Sequence, residues 1–243
     1  MIPVDSLLYK IDQRLNKLSS NAHQQVPLED KILALNEAQV AIIKTKLGGF
    51  SVPNKLGMDS YKKRYEDIEN LIVDFTKNTL SLVETNPVIH QWEADLTKLQ
   101  PKYMMYADCF FLAEKGICKE HVIWINKDLL KHGDVQFLLN NDHYKPSFEY
   151  QESFNSISGE KLSIFTDGTF TPTKLFVMYV RYPDYIDKAG YVKFDGTRSS
   201  NKNCELKDYL EDELLDETVL NLAMYTENMS AAQSAQARIN TNE

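Results

Sequence analysis

Residues 161–229 constrain the fold more than any other part of the chain. They open with a strand-like run from Lys161 to Thr166, turn at Asp167-Gly168, and resume as Lys174-Leu-Phe-Val-Met-Tyr-Val-Arg-Tyr182. After Pro183 come an extended piece at 190–194, a second turn at Asp195-Gly196, and a polar loop over 197–203. β-Branched and aromatic residues bounded by Asp-Gly and Pro mark short antiparallel strands. The chain then enters an acidic helix predicted from about 205 to 228. Leu210, Leu214, Leu215, Thr218, Val219 and Leu222 share one face of it, and Asp212, Glu213, Asp216 and Glu217 share the other. The junction carries no nucleophile, base or ligand cluster. It reads as a building block rather than an active site.

At 243 residues the chain has room for one good core, or for one helical domain with a β insertion. Its 13 Tyr and 11 Phe are enough to furnish that core. The net charge of −8 argues against wrapping nucleic acid, because Lys and Arg must supply phosphate affinity. It is compatible with a conduit through which DNA slides, since like charge lowers friction against phosphates, and equally with simple solubility. Three cysteines (Cys109, Cys118, Cys204) at scattered spacing, without a C-x-x-C pair, point to a reduced intracellular protein. The N-terminus lacks a basic region followed by an apolar run, so a signal peptide is not expected. No apolar run approaches the ~20 residues a membrane helix needs, so no membrane partner is expected.

In chain order, Leu7, Leu8, Ile11, Leu15 and Leu18 predict a first helix over 4–18, with Asp5 or Ser6 as its cap. A second helix starts near Pro27, with Glu29 and Asp30 placed well against its dipole, and stops at Gly48-Gly49. A third is expected from Met58 through Tyr61, Tyr65, Ile68, Leu71, Ile72, Phe75 and Leu80, and a short helical turn is expected around Trp92. Extended structure is predicted over 102–112 and 121–126, and a short helix interrupted at Gly133 over 128–140. Residues 141–158 read as a loop or a strand pair. The tail, 230–243, is rich in Ala, Gln, Ser and Asn. On its own it buries too little to order itself, so it is expected to be mobile or to dock on something else.

The candidate chemistry is thin. Cys118, His121, His132 and His143 fall in one region, yet their spacing matches no zinc-finger or zinc-ribbon pattern. The carboxylates from Glu211 to Glu217 form a run on one helix face, which is usually solvated or a contact surface. General acid–base work instead needs carboxylates in a cleft. No G-x-S-x-G elbow, P-loop or dinucleotide fingerprint occurs, and the Asp-Gly turns lack the further oxygens of a calcium loop. Lys62-Lys63-Arg64 is too brief for a nucleic-acid patch. Trp92 and Trp124 read as core or interface anchors, since no basic groove surrounds them. No catalytic, cofactor-binding or metal-ligating residue is assigned.

Several strings carry a family resemblance. They are Leu28-Glu-Asp-Lys-Ile-Leu-Ala-Leu-Asn-Glu-Ala-Gln39, Asn140-Asn-Asp-His-Tyr-Lys-Pro-Ser-Phe-Glu-Tyr150, Thr166-Asp-Gly-Thr-Phe-Thr-Pro-Thr-Lys174, Asp195-Gly-Thr, and Asn203-Cys-Glu-Leu-Lys-Asp-Tyr-Leu-Glu-Asp-Glu-Leu-Leu-Asp216. Over residues 28–243 the chain resembles virion structural proteins of crAss-like bacteriophages. The resemblance implies a ring-forming neck component between portal and tail, a head–tail connector that is dodecameric and encloses the DNA channel. Its partners would be other copies of itself, portal and other neck or tail proteins, and genomic DNA passing without tight binding. It would be assembled in the host cytoplasm and carried in the virion.

The expected fold class is α+β: a helical adaptor-like domain with an inserted antiparallel β region. The expected divisions are an N-terminal helical region at 1–100, a β-rich region at 101–203, a C-terminal helix at 204–229 completing the helical domain, and an arm at 230–243. A non-enzymatic ring subunit without cofactors is the leading expectation. The alternatives are a metal- or nucleotide-dependent enzyme on the β region, and an assembly factor absent from the finished particle.

Overall fold

The computed structural model describes residues 1–16, 26–48, 66–76, 78–125, 132–141, 143–193, 196–225 and 229–242. The protein is α+β. In chain order its elements are α1 (Val4–Asn16), α2 (Leu28–Gly48), β1 (Ile72–Val73), β2 (Thr79–Ser81), β3 (Val83–Asn86), β4 (Gln91–Asp95), β5 (Tyr103–Lys115), β6 (Cys118–Ile125), α3 (His132–Leu139), β7 (Glu152–Ser153), β8 (Asn155–Ser158), β9 (Lys161–Phe165), β10 (Thr171–Arg181), α4 (Glu211–Tyr225) and α5 (Met229–Asn242). The chain divides into two compact units. One comprises Met1–Asn70 with Pro183–Glu243, and the other Leu71–Tyr182.

The unit Leu71–Tyr182 is a sandwich of two sheets. The larger runs β1-β10-β5-β6-β7, with β2 also paired to β10; the smaller runs β3-β4-β9-β8. The spine is the β5–β10 ladder, antiparallel from Thr171↔Glu114 to Arg181↔Tyr103. Successive side chains in a strand point to opposite faces. Cys109, Phe111 and Ala113 of β5 therefore enter the core together with Ile123 and Ile125 of β6 and Leu175, Val177 and Tyr179 of β10. Ala94 of β4 and Leu162 and Ile164 of β9 meet them from the smaller sheet. Removing side chains of this size from water stabilises the fold by about 1.5–3 kcal/mol each, before ordering costs. Val135 of α3 clusters with Phe154 and Phe165. Phe165 lies on the opposite side of β9 from Ile164, so α3 covers the outer side of the smaller sheet.

In the other unit α4 lies against α1, α2 and α5. Its core holds Leu7 and Ile11 of α1, Ile32, Leu35 and Ile43 of α2, and Leu214, Leu215 and Val219 of α4, each 0% exposed. The first helix is not capped by Asp5 or Ser6. The Val4 N–H donates instead to Asn203 Oδ1 at 3.2 Å, and Ser6 donates to Glu211. Asp187, 0% exposed, organises the irregular segment before α4. Its Oδ1 accepts from Tyr191 Oη at 2.8 Å and from the Lys188 N–H at 2.9 Å. Its Oδ2 accepts from the Ser200 N–H at 3.1 Å and pairs with Lys193 Nζ at 2.9 Å.

Several expectations need correction. The third helix ends early. Its start over 58–65, with Lys62-Lys63-Arg64, lies outside the described residues; 66–68 are helical and Glu69–Leu71 form a 3₁₀ turn, after which β1 and β2 begin. Val73 and Leu80 pair with Tyr179 and Leu175 of β10 and are buried there, which overrides their helical spacing. Trp92 sits in β4, not on a helical turn. The β unit thus begins at Leu71 rather than 101 and ends at Tyr182 rather than 203. Residues 183–203 belong with the helices. Of the short helix expected over 128–140, residues 128–131 lie outside the described residues; His132–Leu139 is helical, with Gly133 inside the helix.

The tail differs most. Residues 229–242 form α5, packed on α4 with Ala235 at 0% exposure. Alanine is the strongest helix former and lets helices approach closely, and Arg238 adds an ion pair to Asp216 at 2.8 Å. The tail orders itself against its own chain.

Candidate interaction surface

β5, β6 and β10 are apolar on both faces over part of their length. Between the core residues Cys109 and Phe111 stands Phe110; between Ile123 and Ile125 stands Trp124; between Leu175 and Val177 stands Phe176. Register places these outward residues side by side, as Phe176↔Phe110 and Phe110↔Trp124. Phe110 stacks on Phe176 with ring centroids 4.8 Å apart and meets Trp124 at 5.3 Å; Phe75 closes on Phe110 at 5.0 Å. Leu112 and Val122 are paired one step along the same face. Trp124 is 55% exposed, and Phe75, Phe110 and Phe176 are half-buried.

An aromatic row of this kind is held rigid by cross-strand packing while part of it faces solvent. Large side chains with little rotamer freedom are what protein interfaces concentrate. The row does no chemistry; it offers contact area. Sequence reasoning singled out Trp124 as an anchor and missed Phe75, Phe110 and Phe176. The available signal was the near-continuous apolar runs Cys109-Phe-Phe-Leu112 and Leu175-Phe-Val-Met178, which lack the in–out alternation of a strand with one wet face.

The groups weighed for chemistry are dispersed or tied down. Cys118 is exposed at the start of β6, the His121 ring lies 4.7 Å from that of Phe148, His132 begins α3, and His143 is exposed. Among the described residues no group of three or more His, Cys, Asp or Glu is placed to hold a metal ion. Burial pushes the Cys109 thiol up to about 12, and its neighbours are Tyr106, whose hydroxyl donates to it at 3.1 Å, and Asn155. Burial likewise raises Cys204, to about 11. Neither is a thiolate near neutral pH, so neither is a ready nucleophile.

The acidic run of α4 is no bare wall. Glu211 pairs with Lys10 at 2.6 Å, Asp212 with Arg14 at 2.5 Å, Glu213 with Lys46 at 2.8 Å, and Asp216 with both Arg14 and Arg238. The face read as solvated is in large part an internal electrostatic seam that fastens other helices to α4. Asp216 itself is 1% exposed. No helix among the described residues is long and apolar enough to cross a membrane.

No protein-family model matches the chain, and no curated protein matches it by sequence.

Proposed function

We propose that this chain is a structural virion protein: a ring-forming subunit of a crAss-like phage neck that joins portal to tail and encloses the DNA channel. The observation that carries the reading is the half-open aromatic row of Phe75, Phe110, Trp124 and Phe176 on a rigid sheet. A patch of this composition is suited to burial against another protein. The sequence resemblance supplies the setting, with a dodecamer as the expected assembly and portal and tail proteins as neighbours.

A ring subunit repeats one heterologous contact until it closes. The aromatic row serves as one side of that contact, taking a neighbouring copy of the chain. Genomic DNA passes without tight binding, in keeping with the net charge of −8. The α4 carboxylates have intramolecular partners, so any acidic lining of the channel falls to other residues. Sizing of the purified chain by native mass spectrometry tests the reading. Closed oligomers that fall apart when Trp124 is replaced by Asp support it, and a strict monomer at all concentrations, with no virion partner captured, counts against it.

A further inference from the structure

Charge borders the aromatic row. Asp108 of β5 shares the outer face with Phe110 and is paired to Met178, and Glu152 of β7 is paired to Trp124. Asp108 is half-buried and Glu152 exposed. Among the described residues no cation pairs with either; Asp108 Oδ1 accepts from the N–H of its own neighbour Cys109 at 2.9 Å. Strands β5 and β10 are antiparallel, so Lys174, two residues before Phe176, lies across the row from Asp108, two residues before Phe110. The row therefore has carboxylates along one side and at one end, and a cation on the opposite side.

A surface of matching chemistry stands at the end of the same ladder, just beyond the pair Arg181↔Tyr103. There Lys102 Nζ lies 5.2 Å from the ring centroid of Tyr182, and the Tyr182 N–H donates to the Lys102 carbonyl at 3.0 Å. Both residues are exposed. Lys115 over Phe148 and Lys193 over Tyr185 make similar contacts, but Lys115 also pairs with Glu149 and Lys193 with Asp187. Lys102 has no carboxylate partner among the described residues. Lys102 and Tyr182 thus form a knob, an ammonium beside a ring, held in place by backbone pairing.

We propose that the ring closes by seating the Lys102–Tyr182 knob of one copy on the aromatic row of the next, an assignment that rests on the ring reading and supplies the other half of its contact. The Tyr182 ring packs on Trp124 and Phe110, and the Lys102 ammonium reaches Asp108 and Glu152. Lys174 repels a cation seated on the wrong side and so fixes the orientation of the neighbour. Phe110 lies eight residues along from Lys102, roughly 25 Å of strand, so knob and row are separate patches on one rigid ladder. Separate complementary patches make a heterologous contact, the kind that repeats around a ring.

Native mass spectrometry and sedimentation of the full chain test the contact. The wild type should assemble beyond a dimer. Lys102→Glu and Asp108→Lys should each weaken self-association at least roughly tenfold, and the two combined in one chain should recover most of that loss. Thermal melts check that each variant folds; if Asp108→Lys does not, Glu152→Lys takes its place in the swap. The sharpest test mixes two disabled chains, Trp124→Asp with its knob intact and Lys102→Glu with its row intact. Neither should assemble alone, and together they should give a one-to-one dimer and nothing larger. If Trp124→Asp dissolves the oligomer while Lys102→Glu leaves it whole, or the swap fails to recover it, or the mixed chains do not pair, the knob is overturned and the ring reading stands. A wild type that stops at a dimer overturns the head-to-tail contact, and one that is monomeric at all concentrations overturns the ring reading as well.

Discussion

Phe176 stacks on Phe110 across the β10–β5 ladder, with ring centroids 4.8 Å apart and planes 11° from parallel. The pair faces away from the sandwich core, since its strand neighbours Leu175, Val177, Cys109 and Phe111 fill that core. Stacking on the outer face gains the sheet some stability, yet leaves Trp124 at the end of the row 55% exposed. The proposed use as a contact would account for both features.

Trp124→Asp should therefore separate association from folding. The loss in monomer stability should be about 0.5–1.5 kcal/mol, the range of one aromatic pair. The oligomer should disappear at concentrations where the wild type assembles. Denaturant melts and native mass spectrometry read the two effects. A large stability loss with assembly intact would place the row in the core, not at an interface.

Leu214 and Leu222 are 0% and 2% exposed on α4, where the sequence pattern placed them on one apolar face. Replacing either with Ala should cost about 2–5 kcal/mol, the transfer term plus that of the cavity left behind. Chemical denaturation of the purified variants measures it directly. A cost near zero would mean that α4 is not packed as described.

Asp187 gives the helical unit a specific acid sensitivity. Burial alone would raise its carboxyl, but the Lys193 ammonium, the Ser200 N–H, the Tyr191 hydroxyl and the Lys188 N–H outweigh that and hold it below the usual carboxylate range. A carboxyl depressed in the folded state contributes stability that is present above its unfolded value of 3.8 and lost as pH falls through the folded value. Asp187→Asn should be less stable than the wild type at neutral pH, and the two should converge as pH drops below about 4. Parallel curves across that window would show that Asp187 is not the group responsible.

Duplex DNA should not bind the isolated chain measurably in ~150 mM salt, because few phosphates can be neutralised by a chain of net charge −8. An anisotropy titration should stay flat into the micromolar range. Tight, salt-sensitive binding would mark a nucleic-acid-binding protein and count against a passive conduit.

Much of the fold was legible in local chemistry. The Asp167-Gly168 turn is one case: Gly168 has φ +81, and a Cβ there would sit 2.4 Å from His90 Nε2. The left-handed backbone strains any residue but glycine there, and a Cβ would also push the partly exposed His90 ring aside; the Asp-Gly signal registers the first of those demands. The apolar run over 174–182 was equally plain, as was the apolar face of the C-terminal helix, expected over 205–228 and found as a 3₁₀ turn at Asp208–Leu210 followed by α4.

What was not legible depends on partners distant in sequence. Ile72-Val73 and Leu80 carry helical spacing and become strand only because β10 lies beside them. The tail's alanines look like linker composition until α4 supplies a surface and Asp216 a charge for Arg238. For the same reason the carboxylates of α4 read as a solvated face. Their cations, Lys10, Arg14, Lys46 and Arg238, lie from 167 to 202 residues earlier or, for Arg238, on the following helix.

The central claim is that the chain is a stoichiometric building block of the particle. Quantitative mass spectrometry of purified crAss-like phage particles carrying its gene tests that most directly. The account predicts the chain in mature particles, at a fixed copy number equal to that of the other neck rings and about twelve if the family resemblance holds. Its presence in infected-cell lysate but absence from purified particles would contradict the account and make it an assembly factor.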